Sequence, residues 1–567
     1  MEERRLLVAV ALSLLVLTAY QMLFPSKPAP GPTPAPAASL TPAASAPPTA
    51  APTASPSPAG RATPRRRATP SPAPVPAPAV ADDRERRVEV AGPDFTIAFA
   101  NRGARLISWQ LMGYRDARSR PEEMVPAVRD GVRALDLETG QADVDARLRD
   151  ALFKASSEQV TLGSAGGELS FHYADGDLVA RKSVRFPARG YMVQVSASVT
   201  RAGQAVPVKV LWGPGVGNPS AAEQDVQGYL PPQAVYRVGE GVERVPAEAI
   251  GALRSLPQAS WVGVESTYFA ALFIPPSTGG AEVRAVGLPP GEDGKPRMGP
   301  VAAVTAPGAE APALLYVGPK DYQVLETVGH GLKDVVPVGE WIGFIVVPFM
   351  RLLRWVHGLV GNYGWAIVLL TVVINLLMAP LRHFSIANGL KMAKMAPEMR
   401  VIQDRYRKVP LMDPRRQDMQ QEIAELYERH GMSMGTQMLV GCLPLLLTMP
   451  FLIAFYRVLQ VSIELRGAHF LWLSDLSQKD PYFVMPVLMG LSMFWMQKMM
   501  PTGMDPAQQK IMLIMPAVLS VMFLWAPGGL NLYWLASNLC SIVQQTVTLR
   551  LLKAREAEAG PRRERKK

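Results

Sequence analysis

Cysteine is nearly missing from this chain: Cys442 and Cys540 are the two among 567 residues, and both sit inside long apolar stretches. That usage excludes a disulfide framework and offers no metal motif. Histidine is scarce as well, with six in all. His172 alternates with apolar neighbours in a strand-like run, and His330, His357, His383, His430 and His469 are scattered, so no acid, base and nucleophile cluster. No G-x-S-x-G turn, no zinc spacing and no isolated carboxylate pair is found, which weakens a membrane enzyme acting on lipid or glycan. The apolar segments also lack mid-span ionisable pairs and an internal repeat, the two marks of a small-solute transporter.

What the chain does have is divided by region: 48% hydrophobic residues, 53 prolines and a net charge of +11 are each concentrated in a different part. Leu6 to Phe24 is an apolar run behind Met1-Glu2-Glu3-Arg4-Arg5. Bulky Tyr20-Gln21-Met22-Leu23-Phe24 offers no small-x-small cleavage site, so residues 1–24 read as an uncleaved anchor with a cytoplasmic N-terminus. Residues 25–81 are a Pro/Ala-rich tract with one basic knot, Arg65-Arg66-Arg67, and too few large apolar residues for a core, so they read as a disordered tether. Residues 82–330 change to short alternating runs such as Phe95-Thr96-Ile97-Ala98-Phe99 and Leu169-Ser170-Phe171-His172-Tyr173, broken by Gly, Pro and Asp. Period two with such breaks predicts half-buried antiparallel strands, hence a β-sandwich placed outside by the first crossing. No chemistry is assigned to it.

Residues 331–361 include Trp341, Ile345, Phe349, Leu352 and Val356 beside Arg351, Arg354 and His357, the pattern of an amphipathic helix in the membrane–water interface. Five apolar runs follow, about Asn362 to Pro380, Gly435 to Leu459, Tyr482 to Met499, Gln509 to Trp525 and Leu530 to Leu549. With the anchor they predict six transmembrane helices, five of them a core at 362–552, in a polytopic α-helical membrane protein. An even number returns the C-terminus to the cytoplasm. The Lys/Arg-rich stretches 382–432 and 553–567 then fall on the cytoplasmic side, as the positive-inside rule requires. Stretch 382–432 is broken at Val409-Pro410-Leu411-Met412-Asp413-Pro414 and reads as a helical hairpin with pairs such as Glu425 and Arg429.

The spans are not uniformly apolar. Ser537, Ser541, Gln544 and Thr548 recur at helical spacing on one face of the last, and Thr371, Asn375, Met378 and Arg382 do so in the second. Hydroxyls and amides at that depth are costly unless they meet partners or water, so both faces should border a bundle interior or a wet cavity.

Ordered motifs run through the same region: Gly441-Cys442-Leu443-Pro444-Leu445-Leu446, Asp480-Pro481-Tyr482, Leu488-Met489-Gly490, Gln508-Gln509-Lys510-Ile511-Met512 with Met515-Pro516, and Tyr533-Trp534 with Ser537-Asn538. Together they resemble the YidC/Oxa/Alb family of membrane protein insertases, from about Trp341 to Leu552, and the anchor, tether and β part match its Gram-negative form. The resemblance implies a five-helix core around a hydrophilic groove that is open to cytoplasm and lipid, closed towards the periplasm, and moves nascent membrane proteins into the bacterial inner membrane. No nucleotide, metal or other cofactor is implied, and no enzymatic step. It places groove positions at Thr371, Asn375, Thr448, Trp525, Trp534 and Ser537; Arg382 and Ser541 join them from the stripes above. Where many relatives carry a buried arginine, this chain has Asn375, and Arg382 lies seven residues on along the same face. Implied partners are nascent membrane proteins and lipids, with the ribosome and a Sec-type translocon as further candidates and no role for DNA.

Overall fold

The computed structural model describes residues 79–558 apart from 128–130, 252, 277–278, 291–296, 307–311, 340, 407–408, 411–412, 431–448 and 500–505. The expected anchor, nearly all of the tether, Cys442, Thr448 and the end of the basic tail lie outside the described residues.

The alternating runs are strands. In Leu178–Phe186 every second residue from Leu178 is buried, and the strand pairs antiparallel with Gly167–Asp175 on one side and Met192–Arg201 on the other. Among the described residues, twenty strands between Arg87 and Pro319 form three sheets, one of ten strands and two of five. Apolar side chains of all three share one core, with Phe95 against Phe186 at 6.0 Å and Trp109 edge-on to Trp212 at 6.0 Å between ring centroids. Sheet therefore packs on sheet, in the layered manner of a sandwich with a divided outer layer. Lys182 breaks the pattern on the inward face: buried completely, it donates from Nζ to the carbonyls of Ala104 and Leu135, each at 2.6 Å.

From Gly343 the chain is helical. We label α1 Gly343–Val360, α2 Tyr363–Leu377, α3 Ala379–Arg405, α4 Arg415–Arg429, α5 Met449–Val461, α6 Val484–Met499, α7 Pro506–Met522 and α8 Gly528–Glu558. Val346, Met350, Leu353 and Val356 of α1 face the helical core, while Phe344, Trp355 and Leu359 are exposed. With Arg351 and Arg354 as its charged residues among 18, α1 is the one described helix that is long and apolar enough to cross a membrane by itself. The α2 and α3 pair passes the same test together, with a 58° bend between them. Pro380 explains the bend, because it has no N–H to give to the carbonyl of Leu376. α3 and α4 close a small hairpin core of Met395, Ile423, Leu426 and Tyr427, and Glu425 pairs with Arg429 at 3.2 Å.

α8 is the axis of the bundle and packs against α2, α3 and α6, while α7 lies on α6 and α1 on α2. The α6–α7 approach depends on Gly490, where a Cβ would come within 1.8 Å of Ser520 Oγ. Small residues at such crossings let backbones come close, the main source of packing energy between apolar helices.

Candidate functional site

The two polar stripes meet where α2 bends into α3. Gln544 of α8 donates to the carbonyl of Ala379 at 2.8 Å, Arg382 donates to Ser541 Oγ, and His383 Nδ1 lies 3.4 Å from Thr548 Oγ1. Between them opens a groove of about 630 Å³. Exposed Leu376, Leu539, Val543 and Val547 form its rim, and buried Asn375 and Thr548 its floor. Asn375 donates from Nδ2 to the carbonyl of Thr371 at 2.8 Å, yet its Oδ1 finds no partner among the described residues. A buried acceptor left in that state costs about 1–3 kcal/mol, so the floor is poised for a donor from outside the bundle.

The other expected positions are placed differently. Thr371 is fully buried, with its hydroxyl turned back to the Ile367 carbonyl at 2.7 Å, and it lies above the groove in the bundle interior. Ser537 supports Ser541 from behind, its carbonyl accepting the Ser541 hydroxyl at 2.7 Å. Trp534 packs edge-on against Phe523 at 4.8 Å and half-exposed Trp525 ends the 3₁₀ turn after α7; neither lines the groove. Arg382 does not turn away to the helix border. It reaches, half-buried, into the α3–α8 interface to meet Ser541, and neither of the two lines the groove.

A second polar seam, with Asn538 of the family motif at its middle, runs along another face of α8. Asn531, Asn538 and Gln545 are all buried on α8, and Asn538 donates to Ser492 Oγ of α6 at 2.9 Å. Their seven-residue spacing was the available signal.

At its far end the bundle is sealed by the loop between α5 and α6. Phe470 lies on Gly364, where a Cβ would sit 2.1 Å from the ring, and Leu473 and Leu476 cover Gly528 and Gly529. Backbone bonds fix this cover: Gly528 N–H donates to Gln478 O at 2.7 Å and Gly529 N–H to Leu476 O at 2.8 Å. Above it, Arg466 is almost wholly buried between Glu122 at 2.8 Å and Glu223 at 2.7 Å, both from the β-rich part.

Two family descriptions cover these parts in turn: residues 87–352 match the YidC periplasmic domain, and residues 355–556 match the 60Kd inner membrane protein family. The membrane protein insertase YidC of Geobacter metallireducens is 31% identical over 492 residues, 85% of this chain and 88% of that protein. The chain belongs to the YidC family. The Bordetella avium insertase YidC is likewise 31% identical, over 85% of this chain and 86% of its own, and that of Wolinella succinogenes is 43% identical over 248 residues, 43% of this chain. A crystal structure of an active YidC insertase with its first transmembrane domain resolved covers 83% of this chain at 17% identity and a TM-score of 0.34. YidC-family membership assigns the β-rich part to the periplasm and the chain to the inner membrane.

Proposed function

We propose that this chain inserts nascent membrane proteins through the α2–α3–α8 groove. The observation that carries the proposal is the groove floor, where the buried Oδ1 of Asn375 has no partner among the described residues, with Arg382 bound to Ser541 in the adjoining α3–α8 interface. A polar segment crossing about 30 Å of hydrocarbon loses its hydration at several kcal/mol for each unpaired group. The floor supplies that segment with hydroxyl and amide partners part of the way, and Arg382 attracts an acidic one. The apolar rim lets the following helix of the substrate leave sideways into lipid. Its own partitioning drives that step at up to ~0.6 kcal/mol per Leu, so no nucleotide hydrolysis enters and no covalent bond changes.

The membrane arrangement that suits this role has six spans: the Leu6 to Phe24 anchor, then α2, α5 with the residues before it, α6, α7 and α8, with both termini in the cytoplasm. The exposed aromatic residues Phe344 and Trp355 suit α1 to the outer interface. The α3–α4 hairpin then projects into the cytoplasm, where it and the basic tail are available to ribosome or lipid, with a Sec-type translocon as a further partner.

The test is insertion of a small single-span substrate into liposomes holding the purified protein, with photo-crosslinkers at positions 375, 540 and 544. Crosslinks from all three to the substrate's polar segment are expected. Insertion with crosslinks confined to positions outside the groove would overturn the assignment.

A further inference from the structure

The short segment Ser462 to Arg466 faces four ways within five residues. Ile463 is buried in the core of the β-rich part and Leu465 in that of the helices. Glu464 takes Arg354 of α1, which also holds Asp321 at 3.0 Å. Arg466 is the strongest tie: Nη2 to Glu122, Nε to Glu223, and Nη1 to the Arg115 carbonyl at 2.8 Å, with the Phe269 ring centroid 5.2 Å away. The β-rich part is therefore fastened to the helices by buried, charge-assisted bonds, whose breakage on one side strands a charge.

Glu223 belongs to a capping box: its other carboxylate oxygen accepts the Ser220 N–H at 2.7 Å, and the Ser220 hydroxyl holds the Glu223 N–H. That box sets the path of the next residues across the helix ends. Asp225 pairs with Lys479, the Gln227 N–H donates to the Trp525 carbonyl at 3.0 Å, and Gly228 lies so near Gln460 that a Cβ would come within 2.6 Å of its amide nitrogen. One loop of the β-rich part thus touches the end of α5, the turn after α7 and the loop that seals the bundle.

We propose that Arg466 with the Pro219 to Tyr229 loop is a latch that keeps the plug of residues 468–480 seated on the helix ends. The plug's own grip is short: Phe470, Leu473 and Leu476 rest on three glycines, one backbone hydrogen bond joins Gln478 to Gly528 and one Leu476 to Gly529, and Asn362 Nδ2 donates to the His469 carbonyl at 3.0 Å. The latch loads it from above. The inference rests on the insertase reading only for what the plug separates; the latch itself is tested without any substrate.

The experiment uses the full chain in liposomes and follows hydrogen exchange at residues 468–480 and 219–229, together with thiol labelling from outside at Leu370→Cys in a background with Cys442→Ser and Cys540→Ser. Leu370 is buried in the helical core, one turn along α2 from Ile367, which lies near Gly529 where Leu476 covers it. In Arg466→Met, exchange across 468–480 and labelling of the new thiol should each rise about tenfold or more, as expected when a buried ion pair is broken. Lys479→Ala removes a half-exposed contact, leaves the cores intact and should give the same change in smaller degree. Gly364→Ala, which forces Phe470 off its seat, should free 468–480 while 219–229 stays protected. Faster exchange at 219–229 in Arg466→Met and Lys479→Ala with 468–480 and the Leu370→Cys thiol unchanged would overturn the latch. If Arg466→Met unfolds, the Lys479→Ala result decides alone. Insertion lost with the latch response intact would instead count against the groove.

Discussion

At the scale of single residues, Asn375 and Glu122 give the sharpest tests. If the Asn375 acceptor faces a wet groove, Asn375→Leu dries the floor and should lower insertion about threefold to tenfold, in the range of one lost polar contact of ~1 kcal/mol. Asn375→Arg should then be tolerated, since a wet floor can hydrate the added charge. A residue that merely bonds within the bundle predicts the reverse, because a new charge would be forced between packed helices. Insertion and thermal stability of the two variants, measured side by side, separate the cases. Glu122 carries a pH signature. Burial pushes its carboxyl up from 4.5 to about 7 despite the pull of Arg466, and Glu223 and Asp116 push the same way. The folded state therefore binds a proton that the unfolded chain releases near 4.5. The associated stability is whole below that value and is lost as pH rises through about 7. Thermal stability should be greater near about pH 6 than near about pH 8, and Glu122→Gln should flatten the difference. A Glu122→Gln profile parallel to the parent's would show that another group is responsible.

At the scale of elements, the bend between α2 and α3 organises the groove. Pro380 removes one backbone donor, and Gln544 ties α8 to the Ala379 carbonyl beside it. Gln544→Leu should leave both helices intact but loosen their junction, seen as faster exchange at 376–382 and a loss of insertion of about threefold, since interhelical polar bonds in membranes average only ~0.6 kcal/mol. Unchanged exchange there would mean that Pro380 alone sets the bend. These elements also show what the sequence could disclose. Periodicity revealed both stripes, and the structure joins them through Arg382 and Ser541, Gln544 and Ala379. It could not reveal which stripe members face the cavity: Thr371 has the right spacing but spends its hydroxyl on its own helix. Trp525 and Trp534 came from family resemblance rather than from a pattern, and they sit off the groove. The Asn531, Asn538 and Gln545 seam was hidden because two polar faces on one helix blur each other. Arg466 carried no local signal at all. Its partners lie 344 and 243 residues away, and only the tertiary fold brings such distant charges together.

At the scale of the whole molecule, the β-rich part reads in sequence as a bead on a tether, whereas the structure bolts it to the helix ends. Deleting residues 88–300 removes Glu122, Glu223 and Asp225 but none of the groove, so insertion should largely persist while residues 468–480 exchange as fast as in Arg466→Met. A deletion protein that reaches the membrane and inserts nothing would contradict this. Removal of Lys553 to Lys567 should weaken ribosome co-sedimentation more at low salt than at high salt, because contacts with phosphate release counterions; equal binding at both salts would reject that role. The 58° bend has a consequence beyond the groove. α3 has 27 residues, hence a length of roughly 40 Å at ~1.5 Å per residue, and it begins at Ala379, where Gln544 and Arg382 join it to α8. On the proposed reading α3 is a lever whose root, Ala379, Pro380 and His383, borders the substrate's path. A rotation of about 10° there would carry the tip of the α3–α4 hairpin through roughly 7 Å by that geometry. The hairpin would thus act as a pointer that reports, outside the membrane, whether the groove is occupied.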